Sequence, residues 1–432
     1  MGTTNTRRGM LQGVAGLTAT AALLSAARMA LPAGAFAQAR GPETPKATLG
    51  FIALTDSAPL IVAKEKKLFD KYGIVEANIA KQASWGTTRD NLVLGSASGG
   101  IDGAHILTPV PYLISLGTVT IENRPVPIQI LARLNTDCQA ISVSKELMAT
   151  GARLDSAPLK AAFAKMKAAG KDPKCAMTFR GGTHDLWIRY WLAAGGIDPD
   201  KDVSTIVVPP PQMVANMKVG NMDAFCVGEP WNEQLVNQGI GYTACTTGEI
   251  WKGHPEKSLG MRADWVEKNP VAALAVTSAV IEAQVWCDRM ENKEELAAIL
   301  GKRAWFNVPP ADIVGRLKGD VNYGDGRDVK GTSQLMKFYD QQASYPFRSH
   351  ELWFLTENQR WGILPPTLDT AATIARVNRE DIWRAAAKQA GAPAAGIPAG
   401  TSRGKETFFD GKVFDPADPK AYLASLSIKK VA

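Results

Sequence analysis

Two periods of hydrophobic and polar positions alternate along this chain. Short apolar runs of strand length are followed by turn residues and then by stretches with helical spacing. Residues 47–54 read as an apolar strand, and Thr55-Asp56-Ser57-Ala58-Pro59 reads as a turn that caps a helix over 59–68. Asp70-Lys71-Tyr72-Gly73 closes that helix, and residues 75–81 form the next strand. The order strand, turn, helix, strand then recurs, which predicts an α/β protein with a largely parallel sheet.

One device occurs twice. Residues 87–109 run from a helix through Gly95 and a glycine-rich turn to Gly100-Ile101-Asp102-Gly103-Ala104, an apolar run and Pro109. Residues 212–230 run from a helix through Gly220 to Asn221-Met222-Asp223-Ala224, an apolar run and Pro230. In both, a helix stops at glycine and returns at once into a short buried strand. Two copies, one per half, predict two similar α/β lobes with a small-molecule cleft between them at the carboxyl ends of the strands.

The remaining elements fill in that plan. Residues 38–46 read as a linker. Two strand-like runs over 128–144, around Asn135-Thr136-Asp137, are expected to carry the first crossing between lobes, and Tyr242–Glu249 the return. Residues 157–170 and Thr183–Ala194 read as helices, with a strand over 176–180 between them. The expected organisation is residues 47–137 as the first part of lobe 1, 138–245 as lobe 2 and 246–389 as a helical second part of lobe 1. Within the last, residues 263–300 read as one long helical stretch, and residues 390–432 read as an extended tail.

The N-terminus points to export. Residues 1–37 hold Arg7, Arg8 and Arg28 and no acidic residue; the arginine pair precedes an apolar stretch from Gly13 to Ala27, and Ala35-Phe36-Ala37 offers a small-x-small cleavage site. This resembles a twin-arginine signal peptide and implies a soluble periplasmic protein that begins near Gln38. The apolar run is shorter than the roughly 20 residues a membrane span needs.

Removing three arginines leaves 46 Lys and Arg against 42 acidic residues, a mature net charge of +4. The excess is mild and dispersed, which suits a small anion and offers no footprint for nucleic acid. Five cysteines, at 138, 175, 226, 245 and 287, show no Cys-x-x-Cys spacing. Metal-ribbon and redox motifs are therefore unsupported, and an odd count leaves at least one thiol unpaired. Most are expected to be buried structural residues.

Candidate chemistry is spread over five loops. Ser84-Trp85-Gly86-Thr87-Thr88-Arg89-Asp90 lies at a strand-to-helix junction, with Thr87 and Asp90 at capping-box spacing. Gln139 lies on a crossing. Gly181-Gly182-Thr183-His184-Asp185 is a glycine-rich helix start suited to an anion. Cys226-Val227-Gly228-Glu229-Pro230-Trp231 ends a strand, and His254-Pro255-Glu256-Lys257 follows the return crossing. A catalytic reading would pair Cys226 with His184, oriented by Glu229, but no local signature supports a nucleophile there.

These motifs also occur together and in order in a known family. Ala83-Ser84-Trp85 with Thr88-Arg89-Asp90-Asn91-Leu92, Leu107-Thr108-Pro109-Val110-Pro111-Tyr112-Leu113 and Gln139-Ala140-Ile141-Ser142 resemble the nitrate- and bicarbonate-binding proteins of ABC importers. So do Gly181 to Trp187 with Arg189-Tyr190-Trp191, Pro209 to Met213, Val227 to Asn232 and His254 to Lys257. The resemblance runs from about residue 47 to at least 390. It implies the type II periplasmic-binding-protein fold, two α/β lobes joined by two crossovers with the ligand cleft between them.

Carried over by motif, the resemblance implies a pocket lined by Trp85, Gln139, His184, Pro210, Val227, Gly228 and Lys257, with Pro210 and Val227 acting through backbone or packing. Nitrate is flat, singly charged and purely an acceptor. An indole face, amide and imidazole donors and a lysine ammonium suit it, each charge-assisted bond contributing roughly 1.5–3 kcal/mol. Bicarbonate carries an O–H and needs an acceptor; the bicarbonate-binding members resemble this chain but have an acidic residue where Lys257 stands, and use calcium. The expectation is therefore a periplasmic receptor for nitrate or nitrite that serves an inner-membrane ABC permease. A monomer is expected, with no cofactor, no bound metal, no nucleic acid and no catalysis of its own. A calcium-dependent bicarbonate receptor and a nitrate sensor acting on a partner protein are the alternatives.

Overall fold

The computed structural model describes residues 41–333 and 336–430. The expected export signal over residues 1–37 lies outside the described residues. Ten strands build two five-stranded sheets. The first sheet contains β1 (Lys46–Phe51), β2 (Glu76–Lys81), β3 (Gly103–Leu107), β4 (Ile128–Arg133) and β10 (Lys257–Arg262), in the order β2-β1-β3-β10-β4. The second contains β5 (Gln139–Ser144), β6 (Lys174–Met177), β7 (Ser204–Val207), β8 (Ala224–Gly228) and β9 (Gly241–Thr246), in the order β7-β6-β8-β5-β9. The two orders superimpose position by position, and the duplicated helix–glycine–strand device supplies the central strand of each, β3 and β8. Both central strands are buried at every position, as befits strands covered on both faces.

Each sheet departs from the parallel expectation at one strand. β10 runs antiparallel to β3 and β4, and β5 runs antiparallel to β8 and β9. The reason is topological. β3 and β8 end at the cleft, whereas a strand that has just crossed between lobes begins there and must run away from it. Thus Lys257, the first residue of β10, pairs with Leu107 at the end of β3, and Gln139, the first residue of β5, pairs with Gly228 at the end of β8.

The two crossing segments lie against each other. Asp137 donates its backbone N–H to the His254 carbonyl (3.1 Å), and Leu134 donates to the Lys257 carbonyl (2.7 Å). Gly253 donates to the Asp137 carboxylate (2.8 Å). The return crossing differs from the expected Tyr242–Glu249. Residues 241–246 are β9, Thr247–Ile250 form a helical turn with a Thr246/Glu249 capping box, and the change of sheet comes after it.

Local chemistry explains other differences. The helix Trp85–Leu94 is capped by Ser84, whose hydroxyl accepts from the Thr87 N–H (3.1 Å), so Thr87 sits inside the helix and Asp90 pairs with Arg89 rather than closing a capping box. The stretch 263–300 is three helices, Ala263–Lys268, Pro270–Asp288 and Lys293–Gly301, because Pro270 starts a new helix and Arg289 is extended. Pro270–Asp288 has the length and apolarity of a membrane span, but Ala272, Val276, Ala279, Val280 and Ala283 on it are buried in the first lobe's core.

The second core differs most from expectation. Trp353 and Phe354, from the helix Arg348–Arg360, join Trp187, Trp191 and Trp251 there, and Phe408, Phe414, Tyr422 and Leu426 complete it. The C-terminal segment is therefore not an extended tail. Its hairpin (Glu406–Thr407 with Val413–Phe414) and helix Pro419–Ser425 cover an aromatic face that solvent would otherwise meet. All five cysteines are buried free thiols.

Candidate functional site

At the facing ends of the two sheets a buried ammonium gathers groups from both lobes. Lys257 is fully buried, and its Nζ lies 2.8 Å from Asp56 Oδ2 and 2.7 Å from Glu256 Oε1. Its remaining contacts are longer: 3.4 Å to Gln139 Oε1, 3.3 Å to His184 Nε2 and 5.9 Å to the centroid of the Trp85 ring. Gln139 donates its amide N–H to Asp56 Oδ2 (3.1 Å) and accepts from His184 Nε2 (2.8 Å). His184 is held from behind by the Thr178 hydroxyl at Nδ1 (2.6 Å), so neither ring nitrogen is free for a cysteine. Asp56 Oδ1 meets His105 Nε2 at 2.5 Å. Glu256 accepts from the Thr183 hydroxyl and from Trp187 Nε1 (2.7 Å).

The fold brings these side chains together by a simple rule. Asp56 follows β1, His184 follows β6, Trp85 follows β2 and His105 lies on β3, while Gln139 and Lys257 open the two crossing strands. Gly228 closes β8 in the middle of the group. A Cβ there would come within 2.5 Å of Gln139 Oε1 and 3.2 Å of Asp56 Oδ2, so glycine leaves room where the polar groups meet. Trp85 is buried and its indole N–H has no partner among the described residues.

Charge is distributed unevenly in this dry site. Burial opposes the Lys257 ammonium, yet Asp56 and Glu256 hold its pKa above the usual lysine value. Burial, reinforced by the charge of Lys257, pushes His184 well below the usual histidine range, so the ring is neutral. Burial pushes His254 down to about 3. Burial raises the Glu256 carboxyl against the pull of Lys257, whereas at Asp56 the charge of Lys257 and the hydrogen bond with His105, itself pushed down by burial, overcome burial and hold the carboxyl below its usual range.

Of the residues expected from sequence, Trp85, Gln139, His184, Gly228 and Lys257 meet here. Val227 lies on the neighbouring strand position, with its side chain in the apolar core and its carbonyl accepting from Asn232 (2.9 Å). Pro210 is buried at the start of the short helix Pro210–Gln212, and no hydrogen bond links it to the group around Lys257. Asp56 and His105 were not expected, and Glu256, named only as part of the Lys257 motif, joins them. The pocket therefore contains acceptors as well as donors, but every carboxylate oxygen is already taken by a protein donor. The signal for Asp56 lay in the duplication: it follows the first strand of its sheet as His184 follows the equivalent strand of the other.

The Cys226–His184–Glu229 arrangement has no geometric support. Burial pushes the Cys226 thiol well above its usual value, and Glu229 is bound to Arg316 (2.9 Å). Among the described residues no group of three or more His, Cys, Asp or Glu side chains is arranged to hold a metal.

Known proteins resemble this chain over most of its length. The nitrate/nitrite binding protein NrtA of Synechocystis sp. is 61% identical over 391 residues, spanning 90% of this chain and 86% of that one. The bicarbonate-binding protein CmpA of Synechococcus elongatus is 43% identical over 391 residues, spanning 88% and 86%. The crystal structure of the periplasmic nitrate-binding protein NrtA from Synechocystis superposes with a TM-score of 0.88 at 60% identity, covering 90% of this chain and all of that one. The two sheets and their cleft are thus those of a periplasmic binding protein. Residues 40–301 match the model of the NMT1-like family, and with that match over more than half of its length the chain belongs to the NMT1-like family.

Proposed function

We propose that this protein is a periplasmic solute receptor that captures nitrate, or nitrite, between its lobes and delivers it to an inner-membrane ABC permease. The observation that carries the reading is a pair of under-used donors in one buried place: the Trp85 indole N–H without a partner, and the third N–H of Lys257, whose best acceptor is 3.4 Å away. A small planar acceptor-only anion answers both, with the Trp85 face beside it and Gln139 and His184 at its edge. Gly228 lets the Gln139 and Asp56 side chains meet beside it. The likeness to the Synechocystis nitrate-binding protein over nine-tenths of the chain supports the same assignment.

Capture follows from closure. The lobes already touch across the cleft, where Thr55 donates to the Glu229 carbonyl (2.8 Å) and the Trp231 indole donates to the Ala53 carbonyl (3.0 Å). Opening breaks these few polar contacts and exposes Lys257; an anion bridging groups of both lobes shifts the balance towards the closed form, which the permease then reads. The protein turns nothing over in this scheme.

A calcium-bicarbonate site fits the geometry less well. The place between the Asp56 and Glu256 carboxylates, where a divalent cation would sit, is filled by Lys257 Nζ. Isothermal titration calorimetry on ligand-stripped mature protein separates the readings. Nitrate binding that is indifferent to EDTA is expected; bicarbonate binding that requires calcium would overturn the assignment.

A further inference from the structure

Two carboxylates face one ammonium at the centre of this site, and a bound anion would add a further negative charge. Asp56, Glu256 and Lys257 are all fully buried, and no arginine or second lysine makes a hydrogen bond or ion pair with any of them among the described residues. The groups that face Glu256 are Lys257 from β10, His184 (3.8 Å), Thr183 and Trp187 from the helix Thr183–Ala194, His254 from the crossing (3.9 Å), Cys226 from β8 and, across Lys257, Asp56 from the loop after β1. Arg133, which reaches the neighbouring Thr108 and Ser258 hydroxyls, is paired with Glu351, and Arg316 is paired with Glu229 and Glu233, so neither adds an uncompensated positive charge. With the histidines neutral, the ionised cluster carries one net negative charge. Placing a monoanion against it in a closed, low-dielectric cleft is costly unless one carboxylate is neutralised.

Resting on the anion-receptor reading above, we infer that Asp56 and Glu256 set the charge this site accepts: a monoanion enters together with one proton, which Glu256 takes up from solvent, and dianions are rejected.

The hydrogen bonds identify Glu256 rather than Asp56 as the carrier. Asp56 is held by three nitrogen donors, from His105, Gln139 and Lys257, and serves as the fixed counter-charge of the lysine. Glu256 touches the Thr183 hydroxyl, which can reverse and accept once the carboxyl is protonated. Burial raises the Glu256 pKa, and an arriving anion raises it further. Protonation also frees Lys257 from one of its two carboxylate partners, leaving an N–H for the anion.

The test is calorimetry of the mature wild-type protein with sodium nitrate in HEPES and in Tris, buffers of different ionisation enthalpy. Uptake of one proton makes the observed binding enthalpies differ by the difference between the buffers. It also weakens affinity by about tenfold per pH unit above the pKa of free-form Glu256. Glu256→Gln, an isosteric mimic of the protonated acid, is expected to bind nitrate with no buffer dependence and a flat pH profile, and sodium sulfate is expected to give no binding heat in wild type. Nitrate binding with buffer-independent enthalpy and pH-independent affinity in wild type overturns the inference while leaving the receptor reading intact, and needs no variant to fold. Proton uptake that persists in Glu256→Gln removes Glu256 as the carrier. Absence of nitrate and nitrite binding at every pH overturns the receptor reading and this inference with it.

Discussion

Single atoms decide what this site can hold. Trp85 offers two things, a ring face and an N–H, and the substitution Trp85→Phe separates them. Loss of the N–H alone is expected to weaken nitrate binding at least tenfold, about 1.4 kcal/mol, with an unchanged melting temperature, read by calorimetry and thermal unfolding. Lys257→Met acts on binding and stability together. It leaves Asp56 and Glu256 buried without their cation, and is expected to abolish binding and cost about 3–5 kcal/mol of stability in urea unfolding. Gly228→Ala drives a methyl into Gln139 Oε1, so binding is expected to fall well over tenfold as the amide is displaced. Lys257 and Gln139 were legible as motif residues. Glu256 stood beside Lys257 in the same loop motif. It precedes β10 on irregular backbone, where the alternation of side-chain directions along a strand does not apply, so both side chains reach the same place.

At the level of elements, the helix Thr183–Ala194 does two jobs. Its first turn presents Thr183 and His184 to the site, and Trp187 one turn on stacks on Trp353 with centroids 4.9 Å apart. Trp353 comes from the helix Arg348–Arg360, whose Glu351 pairs with Arg133 of β4 at 2.5 Å. One helix thus leans on the aromatic core of the second lobe while its carboxylate is anchored in the first sheet. Trp353→Ala is expected to lower stability by roughly 3–5 kcal/mol, as for other large aromatic truncations, measured by chemical denaturation. The periodicity of residues 183–194 was enough to place that helix correctly. It could not place the helix Arg348–Arg360, whose polar-rich sequence is buried on nearly every side, because burial of Glu351, Glu357, Asn358 and Arg360 depends on partners distant in the chain.

On the scale of the whole molecule, the two crossings lie against each other, and Asp137 ties them. Burial raises its carboxyl from 3.8 to about 7, against the opposing charge of Lys337. A carboxyl with a raised folded pKa binds its proton more tightly in the native state, so its contribution is fully present below about pH 4 and is lost as pH rises through about 7. Asp137→Asn keeps the acceptor for Gly253 and suits the left-handed backbone at this position. The variant is expected to be more stable than wild type at alkaline pH and to show a shallower fall of melting temperature between about pH 4 and 7.

Strand and helix periods, the glycine-ended duplication and the ordered motifs were enough to establish two α/β lobes, the region of the cleft and most of the residues that meet in it. These are local properties: hydrophobic period follows backbone geometry, and a glycine stop follows from the left-handed turn it permits. Three matters were decided only by tertiary structure. The direction of β5 and β10 follows from where a crossing chain enters the opposite sheet. The course of residues 405–426 follows from an aromatic face that needed covering. The charge of the site follows from Asp56, His105 and Glu256, which read as a turn, a strand interior and a loop. Their ionisation is set by burial, by partners 49 and 201 positions away for Asp56, and for Glu256 by a Lys257 side chain that the fold turns back onto its neighbour, and no local pattern encodes any of these.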